Sequence, residues 1–253
     1  MALSEGAALP PFIRLVAHPL RWRLLTALAH SDLRVRELVA LTGEPQNLVS
    51  YHLRLLRDGG LVTASRSSFD GRDSYYHLAL DRCAEGLAAT GAALHPALRP
   101  GPAAPPQPAA PVVVLFVCTG NSARSPIAAA LLKRRGAGRV KATSAGTIPK
   151  PQLHPDTVRV LREGYGVDVA RRRPRHLNTL TGRRFDYLIT LCDKARESAP
   201  DLVDHSRRAH WSIADPAAAD GFPAFARAAA EIDTRVRHLL PVLATGDHKE
   251  DPS

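Results

Sequence analysis

Between Pro96 and Pro111 the chain reads PALRPGPAAPPQPAAP, with seven prolines in sixteen positions and no aromatic residue. Proline fixes φ and removes a backbone donor, so such a stretch sustains neither a packed helix nor a central strand. It divides the 253 residues into a first domain, 1–95, a linker, 96–111, a second domain, 112–245, and a polar tail, 246–253. Each of the two large pieces is long enough to bury its own core. As polyproline II, at ~3.1 Å per residue, the linker holds its ends up to roughly 50 Å apart and acts as a semi-rigid spacer.

With 45% hydrophobic and 23% charged residues the composition is that of a soluble globular protein. The longest strongly apolar run, Val112 to Cys118, is too short to cross a bilayer. Met1 to Pro11 also lacks the basic and apolar regions of a signal peptide, so a cytoplasmic location is expected. Cys83, Cys118 and Cys192 cannot build an extracellular disulfide framework and read as free or redox-active thiols in a reducing compartment. No Cys-x-x-Cys or His-rich cluster points to a metal. The formal charge of +10 calls for a polyanionic partner or an anionic substrate. It is unevenly spread: residues 1–95 carry 10 Arg against 9 acids, residues 112–253 carry 23 Arg plus Lys against 15 acids.

In the first domain, Ile13, Val16, Leu20, Leu24, Leu25 and Leu28 recur at helical spacing, and His18-Pro19 predicts a break between two short helices. Val35 to Leu41 predicts a brief helix stopped by Thr42-Gly43, and Pro45 to Arg57 a second, closed by Gly59-Gly60. In the latter Leu48, Leu53, Leu55 and Leu56 include the positions that can pack inward, which leaves Gln46, Asn47, Ser50, Tyr51 and Arg54 for an outer face suited to base edges and phosphates. Leu61–Ser67 and Ser74–Leu80 predict a hairpin with Asp70-Gly71 at its turn, where Arg66 and Arg72 add positive charge. The same pattern also suits a helical protein-interaction module with a solvated polar face.

The order of these elements, with the segments HPLRWRLLTAL and LVSYHLRLLRDGGLV, resembles the ArsR-type winged-helix repressors over roughly residues 10–90. The resemblance implies a homodimer on double-stranded operator DNA, released by an inducer. Many arsenic- and metal-responsive members carry paired cysteines in the helix before the recognition helix, whereas Val35 to Leu41 here reads VRELVAL. Cys83 is the first domain's only thiol and reads as a buried small hydrophobe.

The second domain opens with the apolar, mostly β-branched run Val112–Val117, as expected of a strand buried on both faces of a parallel sheet. Cys118-Thr119-Gly120-Asn121-Ser122-Ala123-Arg124-Ser125-Pro126 follows, and then Ile127 to Arg135 at helical spacing. A glycine in the loop and a proline in the first helical turn build a strand-loop-helix junction whose amides and helix dipole attract an oxyanion. The same groups, with the Arg124 guanidinium, are expected to favour the Cys118 thiolate. Arg124 suits two oxygens of a tetrahedral anion, Ser125 a hydrogen bond to the thiolate, and Asn121 the shape of the loop.

The segment VVVLFVCTGNSARSP resembles the phosphate-binding loop shared by low-molecular-weight protein tyrosine phosphatases and thioredoxin-coupled arsenate reductases. The likeness continues through most of residues 112–243, including Thr143–Thr147, the strand Asp186–Leu191 and His210-Trp211 through Asp215-Pro216. It implies a four-stranded parallel sheet flanked by helices, with the oxyanion loop Thr119, Gly120, Asn121, Ser122 and Ala123 at the carboxyl end of the first strand. It also implies Cys118 as nucleophile, Arg124 as oxyanion clamp and Asp215 as general acid.

A phosphatase needs one cysteine, whereas arsenate reduction needs a second, and Cys192 in LITLCDKARESAP stands where similar reductases carry it. HWSIADPAAADG resembles the reductases and lacks the paired tyrosines of phosphatases. Three-cysteine reductases have a further cysteine at the position of Ala199; Ala123 replaces a non-nucleophilic cysteine and Ala129 an acidic residue that helps bind potassium in some members. Without the third cysteine, thioredoxin or a small thiol of the glutathione or mycothiol type is the expected reductant, and no tightly bound cofactor is expected. The sequence thus reads as a mainly α winged helix-turn-helix joined to an α/β phosphatase-like fold. Its expected role is a regulator of arsenic resistance fused to a cysteine-dependent arsenate reductase, with two alternatives: a tyrosine or small phosphate-ester phosphatase, or a noncatalytic oxyanion sensor.

Overall fold

A computed structural model describes residues 9–98, 108, 111–198, 204–219 and 221–245. Most of the linker, Ala199 and the polar tail lie outside the described residues. The chain forms two compact units, residues 1–66 with 72–103 and residues 67–71 with 104–253.

The first unit begins with α1 (Pro11–Val16) and α2 (Pro19–Leu28). They divide at His18-Pro19 because Pro19 takes the first helical turn, where its missing N–H costs nothing, while His18 Nδ1 caps the amide of Leu20 at 3.2 Å. β1 (Leu33–Arg34) leads into α3 (Val35–Thr42), whose Glu37 carboxylate accepts from the Arg34 amide at 2.7 Å. Gly43, in left-handed conformation at φ 69°, ends α3, and α4 (Gln46–Asp58) follows. Leu20, Leu24 and Leu28 from α2, Leu38 from α3, and Val49, Leu53 and Leu56 from α4 form the core.

The inward stripe of α4 is therefore Val49, His52, Leu53 and Leu56. Of the four leucines among which the inward positions were expected, Leu53 and Leu56 are buried, while Leu48 is 38% exposed because a 3.6-residue period beginning at Val49 turns it to the side. β2 (Val62–Arg66) and β3 (Ser74–Leu78) pair antiparallel, and β1 adds to β3 to give the order β1-β3-β2. Their register pairs Arg66 with Ser74, so the connection around Asp70-Gly71 runs from Ser67 to Asp73, one residue longer than the strand ends read from the sequence. Ser67 Oγ accepts from the amides of Phe69 and Asp70 at 3.2 Å and turns the chain there. An unanticipated helix, α5 (Leu80–Leu94), closes the unit and packs on α1, where a Cβ on Gly86 would lie 2.4 Å from the Phe12 ring. A short 3-10 turn at Pro96–Leu98 lies inside the expected linker.

In the second unit β4 (Val112–Cys118), α6 (Arg124–Arg135), β5 (Val140–Gly146) and α7 (Pro155–Tyr165) are followed by β6 (Arg184–Thr190), α8 (Asp193–Ser198), β7 (Asp204–His210) and α9 (Phe222–Ala244). The four strands are all parallel in the order β5-β4-β6-β7. β4 is central, and Val114 to Val117 are fully buried, as the unbroken apolar run requires of a strand covered on both faces. α9 packs along α6 and α7, tied by the Arg135 guanidinium to the Asp233 carboxylate at 2.6 and 2.7 Å. Among the described residues no helix is long and apolar enough to cross a membrane.

Candidate functional site

Central position in the sheet puts the end of β4 between the ends of β5 and β6, and Cys118 is the last residue of β4. The segment after β5 runs alongside the loop. Amides of Thr147, Ile148, Lys150 and His154 donate to the carbonyls of Cys118, Thr119, Gly120 and Ser122 at 3.2, 2.9, 2.9 and 3.0 Å. In a trans peptide the N–H points opposite to the carbonyl, so turning these four carbonyls outward turns the amides of Thr119, Gly120, Asn121 and Ala123 inward. One of them, Asn121 N–H, donates to Cys118 Sγ at 3.3 Å.

Asn121 holds φ 46°, a left-handed backbone that asparagine tolerates, and its Oδ1 accepts from the Arg175 amide at 2.9 Å. Its side-chain amide donates to Ser125 Oγ at 2.9 Å, and Ser125 Oγ lies 3.0 Å from Cys118 Sγ. Gly146 lets β5 approach: a Cβ there would stand 2.6 Å from the Thr119 carbonyl.

Arg124, 6% exposed, donates from Nη1 to the Ile213 carbonyl at 3.1 Å and from Nη2 to Asp215 Oδ2 at 3.0 Å. Asp215 also caps the following turn through the Ala217 amide at 3.2 Å. A cleft of about 500 Å³ is lined by Cys118, Thr119, Gly120, Ser122, Ala123 and Arg124 together with Asp215, and by Ile148, Lys150 and Lys194, which the sequence alone did not single out. Lys150 belongs to the segment bonded along the loop, a juxtaposition created by the sheet and unmarked by any local motif.

Cys192 lies two residues beyond the end of the adjacent strand, β6. Val117 is in register with Thr190, the Leu191 amide donates to the Val117 carbonyl at 2.7 Å, and Cys192 Sγ is 3.3 Å from the Thr119 hydroxyl. Both cysteines are buried and free. Burial pushes the Cys118 thiol up from its ordinary value; Arg124 pulls it down, the nearby Cys192 adds to the rise, and the Ser125 hydrogen bond opposes it. This reverses the expected direction, because a desolvated sulfur loses more hydration than Arg124 and Ser125 return.

Alkylation of Cys118 should therefore quicken as pH rises past the ordinary thiol value. Ser125→Ala, which removes a hydrogen bond to the thiolate, should slow it about tenfold at neutral pH. Mass spectrometry of the Cys118 peptide measures this; an unchanged rate would show that Ser125 does not stabilise the thiolate.

After Cys192, a buried polar cluster fixes the start of α8. The Asp193 carboxylate accepts from Ser212 Oγ at 2.7 Å and lies 3.1 Å from His210 Nε2, whose Nδ1 is 2.8 Å from Thr190 Oγ1. Burial opposes the charged carboxylate, yet the hydrogen bonds from His210 and Ser212 prevail and hold it at about 2, against an ordinary 3.8. A depressed folded-state value contributes stability above the unfolded value that is lost as pH falls toward the folded one. Asp193→Asn is expected to cost roughly 2 kcal/mol at pH 7 and about half that at pH 3, because the stabilisation is lost fully only below the folded-state value of about 2. Urea midpoints at the two pH values test this, and equal losses would refute the linkage.

In the first unit, Gln46, Asn47, Ser50, Tyr51 and Arg54 all lie exposed on α4, with the Arg54 guanidinium 5.8 Å from the Tyr51 ring centre. Arg66 and Arg72, also exposed, flank the hairpin connection.

A cysteine-x5-arginine loop joining the first strand of a four-stranded parallel sheet to a helix marks the second unit as an α/β domain of the low-molecular-weight phosphatase class, here preceded by a winged helix. Residues 113–249 match the family described as low molecular weight phosphotyrosine protein phosphatase, and the chain belongs to it. Residues 18–64 match the bacterial regulatory proteins of the arsR family. Among similar proteins, an arsenate reductase of Bacillus licheniformis is 33% identical over 131 residues, covering 50% of this chain and 93% of the relative. One of Bacillus subtilis is 32% identical over 132 residues, covering 50% and 94%. A solved arsenate reductase of Archaeoglobus fulgidus is 33% identical, with a TM-score of 0.42 and coverage of 50% of this chain and 98% of that one.

Proposed function

We propose that the chain is a cytoplasmic regulator-enzyme fusion in which the second unit reduces arsenate to arsenite. The observation that carries the reading is the placement of Cys192 beside the nucleophile's loop, with its sulfur 3.3 Å from the Thr119 hydroxyl. Cys118 thiolate attacks arsenic while Asp215 protonates an arsenate oxygen, which leaves as water. An oxyanion on Arg124 competes with Asp215 for the guanidinium.

Cys192 thiolate then attacks Cys118 sulfur. The sulfur–arsenic bond breaks, its electron pair stays on arsenic as arsenite departs, and the two cysteines end as a disulfide. Thioredoxin or a small thiol of the glutathione or mycothiol type supplies the two electrons that reopen the disulfide, since Ala199 provides no third cysteine. Assay of arsenite release from arsenate with each reductant, beside hydrolysis of an aryl phosphate, tests the reading. Phosphate release without arsenite would replace it by the second reading, phosphatase chemistry, which needs only Cys118, Arg124 and Asp215. Binding without turnover of either would leave an oxyanion sensor.

The first unit, in this reading, binds operator DNA through α4 and the hairpin, and does so as a homodimer. α1 and α5 bury no residue of their own, and Leu87 and Leu94 on α5 are 60% and 75% exposed, a face suited to a second copy. Arg54→Ala is expected to weaken binding to DNA upstream of the chain's own gene by about tenfold or more, as loss of one base contact does. Gel shift or fluorescence anisotropy measures it. No binding by the unaltered chain at low salt would end the repressor reading.

A further inference from the structure

Within the second unit, the chain from Val169 to Phe185 carries six arginines and no acid. Arg171, Arg172, Arg173 and Arg175 are exposed, and no hydrogen bond or ion pair engages their side chains among the described residues. Lys133, exposed on α6, belongs to the same cluster: beyond the burial of its stem, the charges of Arg172 and Arg175 push its ammonium below the ordinary value. Like charges held this close are a standing cost unless a polyanion offsets it.

The DNA-reading unit shows the opposite economy. Residues 1–95 carry 10 Arg against 9 acids, and Arg23 is paired with Glu44, Arg34 with Glu37 and Asp73, Arg36 with Asp73, and Arg82 with Glu85. A surface so nearly neutral releases few counterions on meeting DNA, and counterion release supplies most of the sequence-independent affinity.

We propose that the arginine cluster Arg171–Arg173 with Arg175 and Lys133 on the enzyme unit is a second DNA contact, gripping duplex phosphates without reading sequence. The cluster anchors the chain while α4 selects the site. Arginine suits this role because its planar fork bonds two phosphate oxygens at once. The inference rests on the reading that the first unit binds DNA.

The test uses the full chain with all three arginines changed, R171Q/R172Q/R173Q, and the charge-retaining R171K/R172K/R173K. Anisotropy titrations on the duplex upstream of its own gene, and on a random duplex of equal length, are run over a series of salt concentrations. The glutamine variant should lower the slope of log affinity against log salt by about 2.7 on both duplexes, at ~0.9 per lost phosphate contact, and the lysine variant should restore most of it. Discrimination between the two duplexes should be retained in both variants, whereas Arg54→Ala should reduce it with little change in slope.

An unchanged slope in the glutamine variant overturns the proposal. So does an unchanged slope accompanied by lower kcat/KM for arsenate, which would make the cluster a steering device for substrate, or by lost binding to anionic phosphatidylserine vesicles, which would make it a membrane contact. If the unaltered chain binds the random duplex as tightly as its own, the sequence-reading role of α4 fails while a slope change in the glutamine variant still supports the arginine contact.

Discussion

Cys118→Ser is expected to lower both arsenate reduction and aryl phosphate hydrolysis by at least about 10⁴-fold, the scale on which loss of a nucleophile acts. The variant keeps the loop, because the carbonyl contacts that shape it come from Thr147, Ile148, Lys150 and His154 and do not involve the sulfur. Oxyanion binding should therefore survive, read by calorimetry with arsenate or phosphate. A serine oxygen in that position retains the proton it would have to lose, since the burial that already raises the thiol penalises an alkoxide far more. Residual turnover within tenfold of the unaltered chain would mean that another group performs the attack. Loss of oxyanion binding together with turnover would mean that the sulfur itself helps to shape the site.

The loop was legible because its chemistry is local. Strand, loop and helix follow one another in sequence, and the β-branched run before Cys118 together with Pro126 after it mark both boundaries. Cys192 and Asp215 came from the resemblance to a family, because what places them near Cys118 is the parallel pairing of β4 with β6 and of β6 with β7.

Lys150, Lys194 and the Asp193–His210–Ser212 cluster were missed for the same reason: each is an ordinary polar residue until the sheet brings its partners near. The sequence does not single out the inward leucines of α4, because its four leucines fit more than one phase of the helix and the residues that settle the phase, Val49 and His52, include a polar one. α5 went unread because its alanine- and glycine-rich sequence buries nothing within one chain, so it carries little of the apolar contrast that marks a packed helix.

Cys192→Ser should separate the two chemistries that the fold permits. Arsenite formation at multiple turnover is expected to fall by at least about 10³-fold, because reduction needs a second thiol. An external thiol must then replace one whose effective concentration, when held in place, reaches ~10⁵ M or more. Aryl phosphate hydrolysis should change by no more than about threefold, since water performs that second step and the Cys118–Ser125–Arg124 arrangement is untouched.

The serine is nearly isosteric and can still pair with the Thr119 hydroxyl, so loss of arsenite formation cannot be charged to a collapsed loop. The signature to seek is a stalled covalent adduct between Cys118 and arsenic, visible as added mass on the intact protein and removed by a small thiol at high concentration. If the variant instead makes arsenite at the unaltered rate with a millimolar small thiol, the external thiol acts directly on that adduct. Cys192 is then a buried core residue, and the chain needs only the one cysteine that a phosphatase needs.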